Sequence, residues 1–342
     1  MSSRAFSTVP ASSGASANST VSLPASGAAI ECLARYLRER GYQFTTVTPE
    51  THRRVIANHA SCSDPLRDAF GWNRSFASEI VEDKVFSPLL DAGAVTPVEG
   101  SHVLFRSRVR FATLGDQLFA HSAFPTESGD SVFFGPDTYR FAALIKRVLQ
   151  SRRKRCDRLI DIGCGSGAGG IIGASILNDK PEVILSDINP RALLFAAANA
   201  SVAGINRAQC IQSDVLASVS GDADVIVSNP PYLVDSQERL YRHGGKAFGA
   251  ELSVRILKEA LPRLRTGGQL ILYTGTVFVD GVDTFLQSAS CHLQSGEFEF
   301  TYEEIDPDVF GEELDRRHYA RAERIAAVGL VVTRKPLHKE VQ

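Results

Sequence analysis

No Cys-x-x-Cys pair occurs among the six cysteines, Cys32, Cys62, Cys156, Cys164, Cys210 and Cys291. Scattered thiols of this kind indicate a reduced, cytoplasmic chain and argue against a disulfide frame or a zinc site. Long apolar runs are also missing. Glycine, asparagine or charge interrupts each one short of the ~18 residues that a membrane span needs, so no membrane is expected. Nor is there an excess of positive charge: 37 lysines and arginines face 39 aspartates and glutamates, a net of −2. Nucleic acid could then be held only by a local basic patch. No repeat of solenoid period is visible.

Acidic residues are absent before Glu31, and Arg4 is the only charge in that stretch. One arginine is too few for a transit peptide, and no basic start leads into an apolar block as in a secretory signal. Residues 1–28, rich in Ser, Ala, Thr, Gly and Pro, are therefore expected to form a disordered tail. From Ala28 to Gly93 the apolar spacing is helical, with a stop at Gly41 and a start at Pro49. The period then changes to two over His102–Phe111, and Leu114-Gly115-Asp116 turns the chain into Gln117–His121, a β-hairpin. Residues 29–130 are thus expected to be a substrate-recognition domain of helices followed by a hairpin, in which a winged nucleic-acid module is one alternative.

Beyond it, residues 131–336 read as an α/β domain. A helix runs through Ala142, Ile145 and Val148, with Asp137 or Thr138 as its cap. The span 140–158 holds eight basic residues and one acid, either an RNA-contacting patch or a solvated helix end. Strands are then expected at 158–162, 182–186, 209–212, 223–227, 269–275, 297–304 and 329–334. Helices between them start near Gly167, Pro190, Gly249 and Asp280. This alternation specifies a Rossmann-like, mostly parallel seven-stranded sheet whose last strand is antiparallel, at or near an edge.

Chemistry concentrates at the strand ends. Asp161-Ile-Gly163-Cys164-Gly165-Ser-Gly167 is a strand, a glycine loop and a helix start, where backbone amides can approach a ligand closely. Gly165-x-Gly167-x-x-Gly170 also satisfies a dinucleotide fingerprint, so this stretch alone leaves NAD open. Asp161, placed in the loop, would repel a diphosphate and attract a cationic ligand. Asp187 stands where it can accept both hydroxyls of a ribose, and Asp214 where it can accept from an adenine amine. After the fourth strand comes Asn229-Pro230-Pro231-Tyr232, a stiff loop that cannot continue the ladder.

In this order, Asp161–Gly167, Asp187-Ile188-Asn189-Pro190, Asp214 and Asn229–Tyr232 resemble the motifs of class I S-adenosylmethionine-dependent methyltransferases. The similarity is to the methyltransferase small-domain branch, which methylates nitrogen in release-factor glutamine, in rRNA guanine and in adenine of DNA or RNA. It covers about 131–335. Pro136-Asp137-Thr138 is similar to an element that precedes the glycine loop in the glutamine enzymes. Where those enzymes carry Glu-Pro and Glu-Ile-Gly, this chain reads Arg242-His243-Gly244-Gly245 and Leu272-Tyr273-Thr274-Gly275. The resemblance implies S-adenosylmethionine as cofactor, with Thr138, Asp161, Gly163, Cys164, Gly165, Gly167, Asp187, Ile188, Asp214 and Asn229 around it, and no metal.

The acceptor is then expected to be a planar NH₂. The Asn229 side-chain oxygen and the Pro230 carbonyl would accept its hydrogens, Pro231 would stiffen the loop, and Tyr232 would offer a stacking face. The primary expectation is a glutamine side chain of a protein. Alternatives are an exocyclic amine in rRNA or DNA, a small-molecule amine, or a nicotinamide-dependent oxidoreductase. Cys164 reads as a small loop residue, His243 as a loop histidine, and Tyr139 and Phe141 as core. The sequence leaves the oligomeric state open.

Overall fold

The computed structural model describes residues 25–58, 64–126, 128–235 and 239–336. The expected tail lies outside the described residues up to residue 24, as does Cys62. Residues 25–28, assigned to that tail from composition, instead open helix α1 (Ala25–Glu39). It is followed by α2 (Pro49–Asn58), α3 (Pro65–Phe70), strand β1 (Phe76–Ala77) and α4 (Asp83–Asp91).

The run 102–111 is not one strand. Ser107 Oγ donates to the Val109 carbonyl at 2.5 Å and accepts the Val109 amide at 3.1 Å. This local bonding competes with the ladder and breaks it. Before the break, β2 (Val95–Pro97) and β3 (Leu104–Ser107) join β1 in a small sheet of order β1-β3-β2. After it, β4 (Val109–Leu114) and β5 (Gln117–Ser122) form the hairpin.

The second half alternates as expected: α5 (Pro136–Ser151), β6 (Arg158–Ile162), α6 (Ala168–Ile176), β7 (Glu182–Asp187), α7 (Pro190–Val202), β8 (Ala208–Gln212) and β9 (Ala223–Ser228). Then come α8 (Glu251–Ala260), β10 (Leu264–Val279), β11 (Val282–Asp283), α9 (Thr284–Leu293), β12 (Phe298–Asp306) and β13 (Arg324–Arg334). The sheet order is β12-β13-β10-β9-β6-β7-β8, with β11 paired to the end of β10. Strands β10, β9, β6, β7 and β8 are parallel, and β13 runs antiparallel to both β10 and β12.

The last strand therefore lies second from the edge, and β12 is the edge. The fifth main strand extends well beyond 269–275. The Gly267-Gly268 pair only bulges it, with Gly267 at φ +70° taking up the register shift before Gln269. Every residue of β9 is buried, as a central parallel strand covered on both faces requires.

Chain direction across the sheet reverses at β6, which lies between β9 and β7. The carboxyl ends of these strands therefore open onto a crevice, where open α/β sheets take their ligands. The hairpin is no free wing, since nearly all of β4 and β5 is buried. Ala192, Phe195, Ala198 and Val202 of α7 complete the apolar core of the N-terminal part. One side chain extends that junction to the glycine loop. Asn199 accepts the Ala120 amide at 2.8 Å and donates to the Ala120 and Ser166 carbonyls at 3.0 and 2.8 Å.

Candidate active site

One cleft at the carboxyl ends of β6, β7 and β9 collects the motif residues. Thr138, Asp161, Gly163, Cys164, Gly165, Asp187, Ile188, Asp214, Asn229, Pro230, Pro231 and Tyr232 all line it. Gly167 alone among the expected residues does not. It is the N-cap of α6 at φ +79°, and a Cβ there would lie 3.3 Å from the Ala196 Cα. Its absent side chain lets α6 pack against α7.

Asp161 is not in the loop. It pairs within β6, opposite Leu185 and Val227, and its Oδ2 turns back to accept the Gly170 amide at 2.7 Å. Burial raises its carboxyl to a pKa of about 7; the Gly170 bond opposes this, and the charge of Asp187 adds to it. Asp187 ends β7. One oxygen accepts the Gly165 amide at 2.8 Å and the other the Asn189 amide at 2.9 Å. Burial raises this carboxyl too, against those backbone bonds. An ionised carboxylate has about four acceptor sites, so capacity remains for a diol.

Asp214 lines the cleft, but both its oxygens lie 2.9 Å from the Arg255 guanidinium. Ile188 beside it is an exposed apolar wall, 49% accessible. Cys164 is buried, and burial, Asp187 and Asp161 together raise its thiol well above the ordinary value. It remains an inert thiol, as expected of a small loop residue.

Past β9, the Asn229 carboxamide and the Pro230 carbonyl have no hydrogen-bond partner among the described residues, and both residues line the cleft. Tyr232 differs from expectation. It is buried (6% exposed) and sits directly over Gly275, where a Cβ would lie 2.0 Å from its Cδ2. Its hydroxyl donates to Asp137 Oδ2 at 2.6 Å. The ring thus anchors the loop, and little of it is left to stack on.

The sequence reading missed several residues. Asp137 does not cap α5: Gly135 is the N-cap, and Thr138 Oγ1 accepts the Gly135 amide at 3.3 Å. Asp137 turns inward instead. Phe310, Arg242, Tyr241 and Phe133 also line the cleft, and the Phe310 ring meets Tyr232 edge-on at 5.9 Å. Of these, only Asp137 stood in a recognisable motif. His243 is structural, its Nδ1 accepting the Asp235 amide at 3.2 Å. Phe141 is core, though its edge reaches the cleft, and Tyr139 Oη accepts the Thr46 amide at 3.0 Å.

Six of the eight basic residues have a partner within the fold, several of them at the surface. Arg140 pairs with Asp137 and Asp306, Arg147 with Glu303, Arg155 with Asp157 and Arg158 with Glu182. Arg152 donates to Gln269, and Lys154 to the Thr266 carbonyl. Among the described residues only Lys146 and Arg153 of the eight lack such a partner. The cleft itself has four lining carboxylates, Asp137, Asp161, Asp187 and Asp214, against the single guanidinium of Arg242. No cluster of His, Cys, Asp and Glu among the described residues is arranged to hold a metal, and no described helix is long and apolar enough to cross a membrane.

Residues 140–278 match the family model of the methyltransferase small domain. The release factor glutamine methyltransferase of Lactococcus lactis is 30% identical over 181 residues, covering 50% of this chain and 63% of that protein. The ribosomal RNA small subunit methyltransferase C of Shewanella halifaxensis is 33% identical over 125 residues, 36% of this chain and 33% of that one. The chain spans less than two thirds of the length of these curated relatives. A solved structure of the T. thermophilus 16S rRNA N2 G1207 methyltransferase, in complex with AdoMet and guanosine, aligns at TM-score 0.43 and 16% identity, over 77% of this chain and 64% of that one. The matched stretch, residues 140–278, carries the glycine loop, the three strand-end aspartates and the Asn-Pro-Pro-Tyr loop.

Proposed function

We propose that the protein is an S-adenosylmethionine-dependent N-methyltransferase whose acceptor is the side-chain NH₂ of a protein glutamine. The observation that carries this is the Asn229 carboxamide. It lacks a partner among the described residues and lines the same cleft as the glycine loop and Asp187.

The residues fit the cofactor. Asp187 and the Gly163–Gly165 turn would hold its ribose and amino-acid portion, Ile188 and Asp214 its base, and the buried Asp161 would favour its positive charge. When bound, it supplies an electrophilic methyl on a sulfonium. A dinucleotide fits poorly. Its diphosphate would sit at the N-terminus of α6, where Asp161 already occupies the Gly170 amide and adds negative charge.

On the acceptor side, Asn229 Oδ1 and the Pro230 carbonyl would each accept one N–H of the substrate amide. Both hydrogens are then held, and the nitrogen lone pair is directed into the cleft. Attack needs no prior deprotonation: as the N–CH₃ bond forms the S–CH₃ bond would break to leave a neutral thioether, and the nitrogen proton, acidic only then, would pass to solvent. The protein's contribution is positioning and electrostatics. Partnering of most of the basic run and the acidic lining of the cleft favour a protein acceptor over a polyanion. A second reading, methylation of an exocyclic amine in RNA, is supported by the similarity to the rRNA methyltransferase.

Tritiated-methyl transfer into a cell extract, separated into protein, nucleic-acid and small-molecule fractions, is the test. Label in protein that releases N-methylglutamine on proteolysis is expected. Label confined to RNA would replace the acceptor, and label confined to small molecules would remove both macromolecular readings. Calorimetry comes first: binding of NAD without S-adenosylmethionine would end the methyltransferase reading.

A further inference from the structure

We infer that Asp137 is a positioning residue that holds the acceptor-binding loop in register with the cofactor cleft, a role that rests on the methyl-transfer reading above. Its carboxylate is buried, 6% exposed, and three donors converge on it. Tyr232 Oη donates to Oδ2 at 2.6 Å, Tyr273 Oη to Oδ1 at 2.9 Å, and Arg140 Nη1 to Oδ1 at 3.2 Å. Arg140 continues the chain of contacts to Asp306, 2.6 Å away at the end of β12. One side chain thus joins the start of α5, the loop after β9, and β10.

The placement is costly unless it serves something. An aspartate in the first turn of a helix is already favoured facing solvent, where it meets the helix dipole. Here the Thr138 hydroxyl already accepts the N-cap Gly135 amide, which leaves Asp137 free to turn inward. A buried carboxylate then needs compensation from hydrogen bonds and opposite charge, and Tyr232, Tyr273 and Arg140 provide both.

The effect on the site follows from the short path between Tyr232 and Asn229. Pro230 and Pro231 fix their own φ angles and restrict the residues before them. Few soft torsions therefore separate the phenol from the Asn229 carboxamide. The Tyr232 ring is wedged over Gly275 and against Phe310, so its remaining freedom is rotation and tilt, which the Asp137 bond removes. Thr138, the next residue, lines the same cleft. The first turn of α5 thereby sets the distance between the cofactor and the acceptor nitrogen. Near-attack geometry is sensitive to errors of about 1 Å.

Tyr232→Phe deletes the hydroxyl and keeps the ring. It should leave the dissociation constant for S-adenosylmethionine within about threefold, while the Asp137 oxygen left without its phenol donor lowers the melting temperature by about 3–8 °C. Turnover into the labelled acceptor fraction should fall by about 10- to 100-fold, with the acceptor KM rising less. Asp137→Asn should show the same split, and the double variant should lose no more than the worse single, because one coupled contact is being removed twice. Wild-type turnover in Tyr232→Phe would overturn the role of Asp137, and so would equal losses in cofactor affinity and turnover, or additive losses in the double variant. A wild-type protein that methylates nothing would instead overturn the methyltransferase reading, and this inference with it.

Discussion

The Asp161 carboxylate accepts the Gly170 amide at 2.7 Å while lining the cleft with only 1% of its surface exposed. Burial, and secondarily the nearby Asp187, raise its pKa from 3.8 to about 7. Below that pH the free protein therefore holds a proton there that a cationic ligand would displace. The first prediction is that S-adenosylmethionine binds more tightly as pH rises to about 7 and levels off above it. Calorimetry at pH 6 in two buffers of different ionisation enthalpy should register proton release. Binding that is pH-independent and releases no proton would remove Asp161 from the cofactor's surroundings. Folding stability of the free protein carries the opposite sign. The folded state binds the proton more tightly than the unfolded one, so this group's contribution declines as pH rises from about 4 to about 7. Bound cofactor should flatten that decline.

Asn199 provides a stability prediction. Ala120 turns its amide and carbonyl away from β4, and the Asn199 side chain satisfies both while its amide also reaches the Ser166 carbonyl. Asn199→Ala leaves three buried backbone groups unpaired. The expected loss is about 2–4 kcal/mol, or roughly 5–10 °C in melting temperature. Because Ser166 belongs to the glycine loop, the affinity for S-adenosylmethionine should fall as well, and thermal melts with and without it check both. An unchanged melting temperature would mean that water replaces the amide fully.

Features encoded locally were readable before the fold was seen. Glycines 163, 165 and 167 and prolines 230 and 231 impose their conformations on the backbone wherever they stand, and the buried run 223–227 can form little but a central strand. Long-range pairings were not readable. Arg140 looked like part of a basic patch because Asp306 is 166 positions away, and Arg147 is paired across 156 positions with Glu303. Asp137 read as a helix cap because nothing local reveals that Thr138 and Gly135 already fill that role. Phe310 carries no motif. The break at Ser107 was hidden by an alternation that continues through it, since a hydroxyl bonding to its own neighbourhood leaves the hydrophobic pattern unchanged.

The partnering of most of the basic run leads to a third prediction. Lys146 and Arg153 are its two members without a partner among the described residues, and neither lines the cleft. The double charge reversal Lys146→Glu with Arg153→Glu should leave methyl transfer to the protein fraction within about twofold at 0.15 M salt, where charges beyond about 8 Å are largely screened. If the acceptor is RNA tracked by this face, the same variant should lose activity steeply, and the salt dependence of binding should flatten with each lost phosphate contact. A tenfold loss in the variant would therefore move the acceptor from protein to nucleic acid.

The fourth prediction concerns Asn229, a cleft residue whose carboxamide has no hydrogen-bond partner among the described residues. Asn229→Ala removes a hydrogen-bond acceptor and some bulk but breaks no bond within the described protein. Stability should stay within about 1 kcal/mol, as for a substitution that leaves no buried group unpaired. Cofactor affinity should fall no more than a few-fold, while turnover should fall by two or more orders of magnitude, because the acceptor nitrogen is no longer held on two sides. Asn229→Asp keeps an oxygen in place and adds charge. It should retain more activity than alanine if accepting an N–H is the role, and less if the Nδ2 hydrogens are what matter. Measured by calorimetry and by tritiated-methyl transfer, loss of affinity in proportion to loss of turnover would assign Asn229 to holding the cofactor instead of the acceptor.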